Sequence, residues 1–312
     1  MTQSPRLKKL ITSLGPNHVD AYLVTKDVNI LYLTGFPACE SWLLVTPRES
    51  FYITDFRYML EARKGLKGIT LVQHTDSIYK TVFDLAKKRN VRRLGFDENH
   101  LTVSQYHKLV KSYSRGVQLK PANGLVECLR QIKDQTEIKK TKQALKIHAQ
   151  ALKNIKKYIK PNISEQEIFE RLEHFVKSQQ VGFSFSPIVA SGPNSCYPHA
   201  KVTSRKIRQD DVVLLDMGIS FSGYKSDLTR MYLLGKIPQL ISDVICDVRT
   251  AQKEAILKIR DGVSVAEADL AARNSLEKNK LAKYFGHALG HGVGLDIHEN
   301  PRLSCKMQMT LL

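Results

Sequence analysis

The chain of 312 residues is 42% hydrophobic and 25% charged, and its 48 Lys and Arg against 30 Asp and Glu give a net charge of +18. That length holds two domains and a sizeable core, and the composition excludes a disordered or fibrous chain. No apolar run approaches the 18 or so residues of a membrane span, no apolar signal region follows the opening charges, and five scattered cysteines, Cys39, Cys128, Cys196, Cys246 and Cys305, never form a Cys-x-x-Cys pair. A reduced, cytoplasmic protein without a disulfide framework is expected, with Cys196 read as a small buried loop residue.

The first 130 residues alternate short apolar runs with amphipathic stretches. Strands are expected at 21–24, 42–45, 51–53, 70–72 and 93–96, with helices at 77–88 and 103–113. Together they read as a compact α/β domain over residues 1–130, in which no cluster of His, Cys or acidic residues resembles a site. The segment Pro121-Ala-Asn-Gly124 marks a connection to a second domain over 131–312.

A lysine-rich helical segment follows, from Lys133 to Lys160, whose apolar residues Ile138, Leu145, Leu152 and Ile159 recur every seven positions. Its lysines read as a solvated face, and Tyr158 is the one aromatic among them that could stack a base, so nucleic acid is disfavoured as a partner. Ser164-Glu-Gln-Glu167 is a capping box that opens the next helix, with Ile168, Leu172 and Phe175 on its apolar side. Beyond it come another strand and a Ser191-Gly-Pro-Asn194 turn.

The apolar runs 212–215 and 231–234 flank a Ser222-Gly223 turn signal, which predicts two antiparallel strands. If the hairpin folds around Phe221 and Ser222, Asp216 lies opposite Asp227, with Cβ atoms about 4.5–5.5 Å apart. Two carboxylates meeting inside an apolar sheet cost several kcal/mol each unless a proton or cation lies between them. Asp210, Asp211 and Lys225 read instead as solvated. Helices expected at 240–259 and 265–278 lead to a final glycine-rich segment.

That segment, Phe285-Gly-His-Ala-Leu-Gly-His-Gly-Val-Gly-Leu-Asp-Ile-His-Glu299, holds His287, His291 and His298. A helical zinc-protease motif is excluded, because Ala288 stands where a glutamate is needed and Gly286, Gly290, Gly292 and Gly294 oppose a helix. An extended strand is expected instead, bent so that His291 and His298 approach one point, with His199 as a fourth candidate.

Asp216 and Asp227 eleven apart, His199 upstream, and the Phe-Gly-His-x-x-Gly-His-Gly-x-Gly-Leu-x-x-His-Glu pattern downstream resemble the creatinase and methionine aminopeptidase superfamily, in its aminopeptidase P and prolidase branch. Tyr32-Leu-Thr-Gly-Phe36 and Thr54-Asp-Phe-Arg-Tyr58 resemble the creatinase-type amino-terminal domain. The resemblance implies an α/β (α+β) fold in which that domain precedes a "pita-bread" catalytic domain. It implies a metal-dependent exopeptidase that cleaves the Xaa-Pro bond at peptide N-termini or in dipeptides, acting on substrates with proline at the second position. By the same resemblance Asp216 binds one of two divalent ions, Asp227 bridges both and His291 ligates the other. Manganese is the implied metal, with cobalt or zinc as competitors, and a hydroxide held between the ions attacks the scissile carbonyl. His298 is implied to hydrogen-bond the substrate carbonyl, and His199 and His287 to line the leaving-group side, with a backbone-bonded structural role as the other reading of His287. A homo-oligomer is the expected assembly.

The family supplies two further metal ligands, both glutamates, downstream of the His298-Glu299 pair, yet residues 302–312 contain no acidic residue. The expectation is therefore an incomplete pita-bread domain whose last strands are missing. A catalytically impaired or silent domain acting as a binding module is the alternative.

Overall fold

The computed structural model describes residues 4–112 and 116–311. Tyr113, expected at the end of a helix, lies outside them, as do Met1 and Leu312. The chain divides into two compact units, Met1–Arg130 and Gln131–Leu312.

The N-terminal unit runs α1 (Pro5–Leu14), β1 (Ala21–Val24), α2 (Asp27–Thr34), β2 (Trp42–Val45), β3 (Ser50–Thr54), α3 (Met59–Gly65), β4 (Thr70–Gln73), α4 (Ile78–Lys88), β5 (Arg93–Phe96), α5 (Val103–Lys111), β6 (Gln118–Pro121) and α6 (Leu125–Gln131). Its six strands form one mixed sheet in the order β4-β3-β2-β1-β5-β6. Every residue of β1, β2 and β3 is buried, which is why these strands read as unbroken apolar runs rather than alternating ones. Five expected strands are found in place. Four helices and the polar edge strand β6 were not anticipated; α2, for example, is apolar on several sides and shows no amphipathic stripe.

One expectation for this unit is corrected. Asp97, just after β5, His100 in the following turn and Glu127 on α6 do come together, each offering a donor atom within 4.8 Å of the others. These residues come from separate elements, so no local spacing announced them.

The C-terminal unit begins with α7 (Gln135–Lys156) and α8 (Glu165–Ser178), each opened by a complete capping box, Asp134/Glu137 and Ser164/Glu167. The seven-residue repeat does not mark the buried face of α7. Leu145 is exposed, and the buried stripe is Ala144, Ile147, His148, Ala151 and Ile155, in which each residue has another three or four positions away, as a helix lying on a sheet requires. Lys139, Lys142, Lys146, Lys153, Lys156 and Lys157 are exposed as expected, and Tyr158 is covered by the Arg171 guanidinium at 4.2 Å from its ring centre.

Then follow β7 (Gly182–Phe183), β8 (Ile188–Ser191), β9 (Val212–Met217), β10 (Ile219–Phe221), β11 (Tyr224–Lys225), β12 (Leu228–Leu233), α9 (Gln239–Lys258), α10 (Val265–Glu277), β13 (Gly290–Gly292) and β14 (Glu299–Leu303). The strands make antiparallel sheets β12-β9-β8 and β11-β10-β7 and the pair β13-β14. Alternate residues of β9, Val213, Leu215 and Met217, pack onto Ile147, Ile155, Ile168 and Leu172 of the two helices. Asp216 therefore points to the opposite face.

Two side-chain readings are also corrected. Asp211 is 7% exposed rather than solvated; burial pushes its carboxyl up, but Arg205 at 2.6 Å and the Arg208 N–H hold it below the ordinary aspartate range. Cys196 is exposed, not buried.

Candidate metal centre

The hairpin that carries the two aspartates turns at Ser222 and Gly223, both with positive φ (49° and 84°), as a two-residue loop of the kind that matches strand twist. The pairing is therefore Phe221 with Tyr224, and Asp216 with Thr229 rather than with Asp227. The expected register is off by two residues, which leaves every side chain on its face but moves Asp227 to a diagonal position. The Thr229 hydroxyl takes the directly opposed place and donates to Asp216 Oδ1 at 2.9 Å. The aspartates thus share a half-buried face instead of meeting inside the sheet.

Asp227 sits where the ladder breaks, between β11 and β12. The preceding Ser226 is 1% exposed and is held at three atoms: its N–H donates to Ile219 O, its carbonyl accepts from Ser184 Oγ at 3.0 Å, and its Oγ accepts from Ile219 N at 3.0 Å. His148 from α7 adds a 3.1 Å bond to the same Oγ. Opposite, Gly218 has no room for a Cβ, which would collide with Ser226 O. Burial lowers His148 to about 4, helped by the nearby Arg230, so the clamp is neutral at physiological pH.

The final segment arrives by a backbone bond from Lys225 N to Gly294 O at 2.9 Å. A Cβ on Gly294 would crowd the Glu299 carboxylate, which is itself paired with Lys133 at 3.1 Å. Arg273 of α10, anchored on the buried Asp269, donates to the carbonyls of Phe285 and His287 and so shelves the chain entering β13. His291 on β13 and His298 in the turn before β14 come edge to face with ring centres 4.4 Å apart.

His291 Nε2 stands 3.6 Å from Asp227 Oδ2. Its Nδ1 lies 3.0 Å from Gly292 O, an acceptor, so the network assigns the proton to Nδ1 and turns the Nε2 lone pair toward the carboxylate. Two acceptors facing each other call for a cation or a proton between them. Burial first, and then the charge of Asp216, raise the Asp227 carboxyl above the ordinary aspartate range, against the opposing pull of His291 and His298. A carboxylate with this environment gains from a bound cation. Asp216, Asp227 and His291 do not all fall within 4.8 Å of one another. Asp227 is the residue that interacts with both of the others, with His291 at 3.6 Å and with the charge of Asp216.

His199 and His287 are placed differently. Both are exposed, and no described contact joins either to the aspartates. His287 Nδ1 bonds its neighbour's carbonyl, Ala288 O, at 2.7 Å, and its ring packs on Phe285. His199 follows a 3-10 turn over Gly192–Cys196 that is pinned by the fully buried Glu165, which accepts from Ser191, Asn194 and Thr203. Thr229, Ser226 and His148 were missed from the sequence. Reading Ser222-Gly223 as a two-residue loop would have placed Thr229 opposite Asp216; nothing local marks His148.

The model of metallopeptidase family M24 matches residues 139–311, and the creatinase/prolidase N-terminal domain matches residues 6–132. An uncharacterized peptidase, YqhT, of Bacillus subtilis is 34% identical over 98% of this chain and 87% of its own length. Among solved structures, an Xaa-Pro dipeptidase from Bacillus anthracis superposes with a TM-score of 0.94 at 33% identity, covering 98% of this chain and 86% of that one. An X-Pro aminopeptidase from Thermotoga maritima gives 0.87 at 26% identity, covering 98% and 87%.

Proposed function

The chain belongs to metallopeptidase family M24, and on that footing we propose that it is an exopeptidase that hydrolyses the bond between an N-terminal residue and a following proline, in dipeptides or longer peptides. The observation that carries the reading is the His291 Nε2 lone pair facing Asp227 Oδ2 at 3.6 Å, beside a second carboxylate. Asp216, Asp227 and His291 would hold two divalent ions, with manganese the preferred metal, Asp216 and His291 serving as outer ligands and Asp227 as the ligand common to both. Bound divalent ions supply a nucleophile at neutral pH and polarise the scissile carbonyl. The interaction of Asp227 with both Asp216 and His291 fits a ligand common to two ions.

The chain's own groups do the positioning. The Thr229 hydroxyl fixes the carboxylate plane of Asp216. The Gly292 carbonyl holds His291 in the tautomer that leaves Nε2 free to ligate. His298, beside His291 and exposed on its outer side, hydrogen-bonds the substrate carbonyl as charge develops on it. His199 and His287 line the leaving-group side, where their exposure leaves them open to a peptide.

The test is hydrolysis of Ala-Pro, Ala-Pro-Pro and Ala-Ala by the manganese-loaded protein. Release of alanine from the proline peptides alone is expected, and the two proline substrates separate dipeptidase from aminopeptidase. Equal cleavage of Ala-Ala, or no release from any of the three, contradicts the proposal.

A further inference from the structure

We infer that Asp97, His100 and Glu127 form a second ion site, a three-donor pocket for one divalent transition ion of the zinc class, within the N-terminal unit. The three side chains reach one place from the end of β5, the turn before α5 and helix α6, and they share no residue with the centre around Asp227. His100 Nε2 lies 2.7 Å from Glu127 Oε1 and 3.9 Å from Asp97 Oδ2. A four-coordinate zinc with bonds of about 2.0–2.2 Å spaces its ligands by about 3.3–3.6 Å, between those two separations.

The surroundings are those of ligands held from behind. Asn99 donates twice to Asp97 Oδ1, at 2.9 and 3.0 Å, Gly124 N donates to Oδ2 at 2.7 Å, and Asn29 Nδ2 donates to Glu127 Oε1 at 2.7 Å. Ligating carboxylates are typically hydrogen-bonded in this way, and here Asp97 Oδ2, with one bond, and Glu127 Oε2, with none, keep lone pairs for a metal. A separate observation points to a ligand: Glu127 Oε2 is buried and has no hydrogen-bond partner. The neighbouring cation, Lys26 Nζ, approaches the other oxygen, and only to 3.8 Å. The paired negative charge is also felt by Tyr22, whose hydroxyl is pushed up by burial and then by Asp97 and Glu127.

The donor set selects the ion. One imidazole with two carboxylates suits zinc, cobalt or manganese and is a poor cage for calcium or magnesium. The Asp97 side chain is 8% exposed, while those of His100 and Glu127 are 20% and 22% exposed, so one side stays open for a water ligand. An ion bound here ties the β5 turn to α6.

The experiment uses the full chain carrying Asp227→Ala and His291→Ala, which removes ligands from the other centre. Zinc is titrated against a chromophoric chelator, and cobalt is followed by absorption. One zinc per chain is expected, weakened about tenfold or more by adding either His100→Ala or Glu127→Gln, with a cobalt spectrum lacking the thiolate charge-transfer band. Glu127→Gln keeps an acceptor for Asn29, and circular dichroism of each variant separates lost binding from lost folding. Absence of zinc binding in the folded Asp227→Ala/His291→Ala chain, binding unchanged by both added substitutions, or a thiolate band that places the ion on cysteine would each overturn the site.

Discussion

Two clusters of carboxylates and imidazole stand in this chain, and they are built on opposite plans. In the N-terminal unit Asp97, His100 and Glu127 converge on a single point and are steadied by bonds from Asn99, Gly124 and Asn29. In the C-terminal unit Asp216, Asp227 and His291 are strung along two adjoining segments, and the charge on Asp227 is left to burial and to a second carboxylate. Convergence suits one ion held in place; a string with a shared middle residue suits two ions with a substrate between or beside them. Burial and the charge of Asp216 raise the proton affinity of Asp227, which fits the proposal that the reactive centre lies there.

The largest effect that can break this contrast is Asp227→Ala. Loss of the shared ligand is expected to remove manganese binding at that centre and to lower turnover by about 10³-fold or more. Retained activity with two bound ions would end the assignment. Next, His298→Ala is expected to cost about 10²–10³ in kcat while leaving metal content intact, because the proposed hydrogen bond to the substrate carbonyl would strengthen as charge forms there. A raised KM with unchanged kcat would instead make it a simple binding residue.

The third prediction concerns the clamp behind Asp227. His148 has its native pKa lowered to about 4, below the ordinary histidine value. As pH falls below that ordinary value the unfolded chain takes up a proton that the native chain refuses, so stability is complete above about pH 6.5 and declines toward pH 4, by about 3 kcal/mol in all. Hydrogen exchange of the α7 amides at pH 7 and pH 4.5 measures this, and His148→Leu is expected to flatten the dependence. The smallest effect is a matched pair: Thr102→Ala at the α5 capping box and Ser164→Ala at the α8 capping box should each cost about 1 kcal/mol in urea unfolding. Trp42 fluorescence reports the first substitution, because the single tryptophan lies in the N-terminal sheet.

What could be read before folding follows the same division. The central strands of the N-terminal sheet were legible because both faces are covered and the apolar runs are continuous. Helix α2 was not, since a helix covered on several sides has no polar face to set its period. In α7 the strict repeat of Ile138, Leu145 and Leu152 drew attention from the buried stripe, whose members Ala144, Ala151 and His148 are too small or too polar to register as core. The paired aspartates and His291 stood out by residue type and spacing, whereas their register depended on the left-handed Ser222-Gly223 loop, and a turn two residues away moved Asp227 from opposite Asp216 to its diagonal. The Asp97 cluster is assembled from donors up to thirty positions apart and carries no local pattern.

On the proposed reading Asp227 would be shared by two ions, one held with Asp216 and the other with His291. Anomalous diffraction from manganese-soaked crystals tests it directly. Two peaks are expected, one on each side of the Asp227 carboxylate, the first also touching Asp216 and the second His291 Nε2; a single peak enclosed by all three residues, or none at Asp227, would rule out a shared carboxylate.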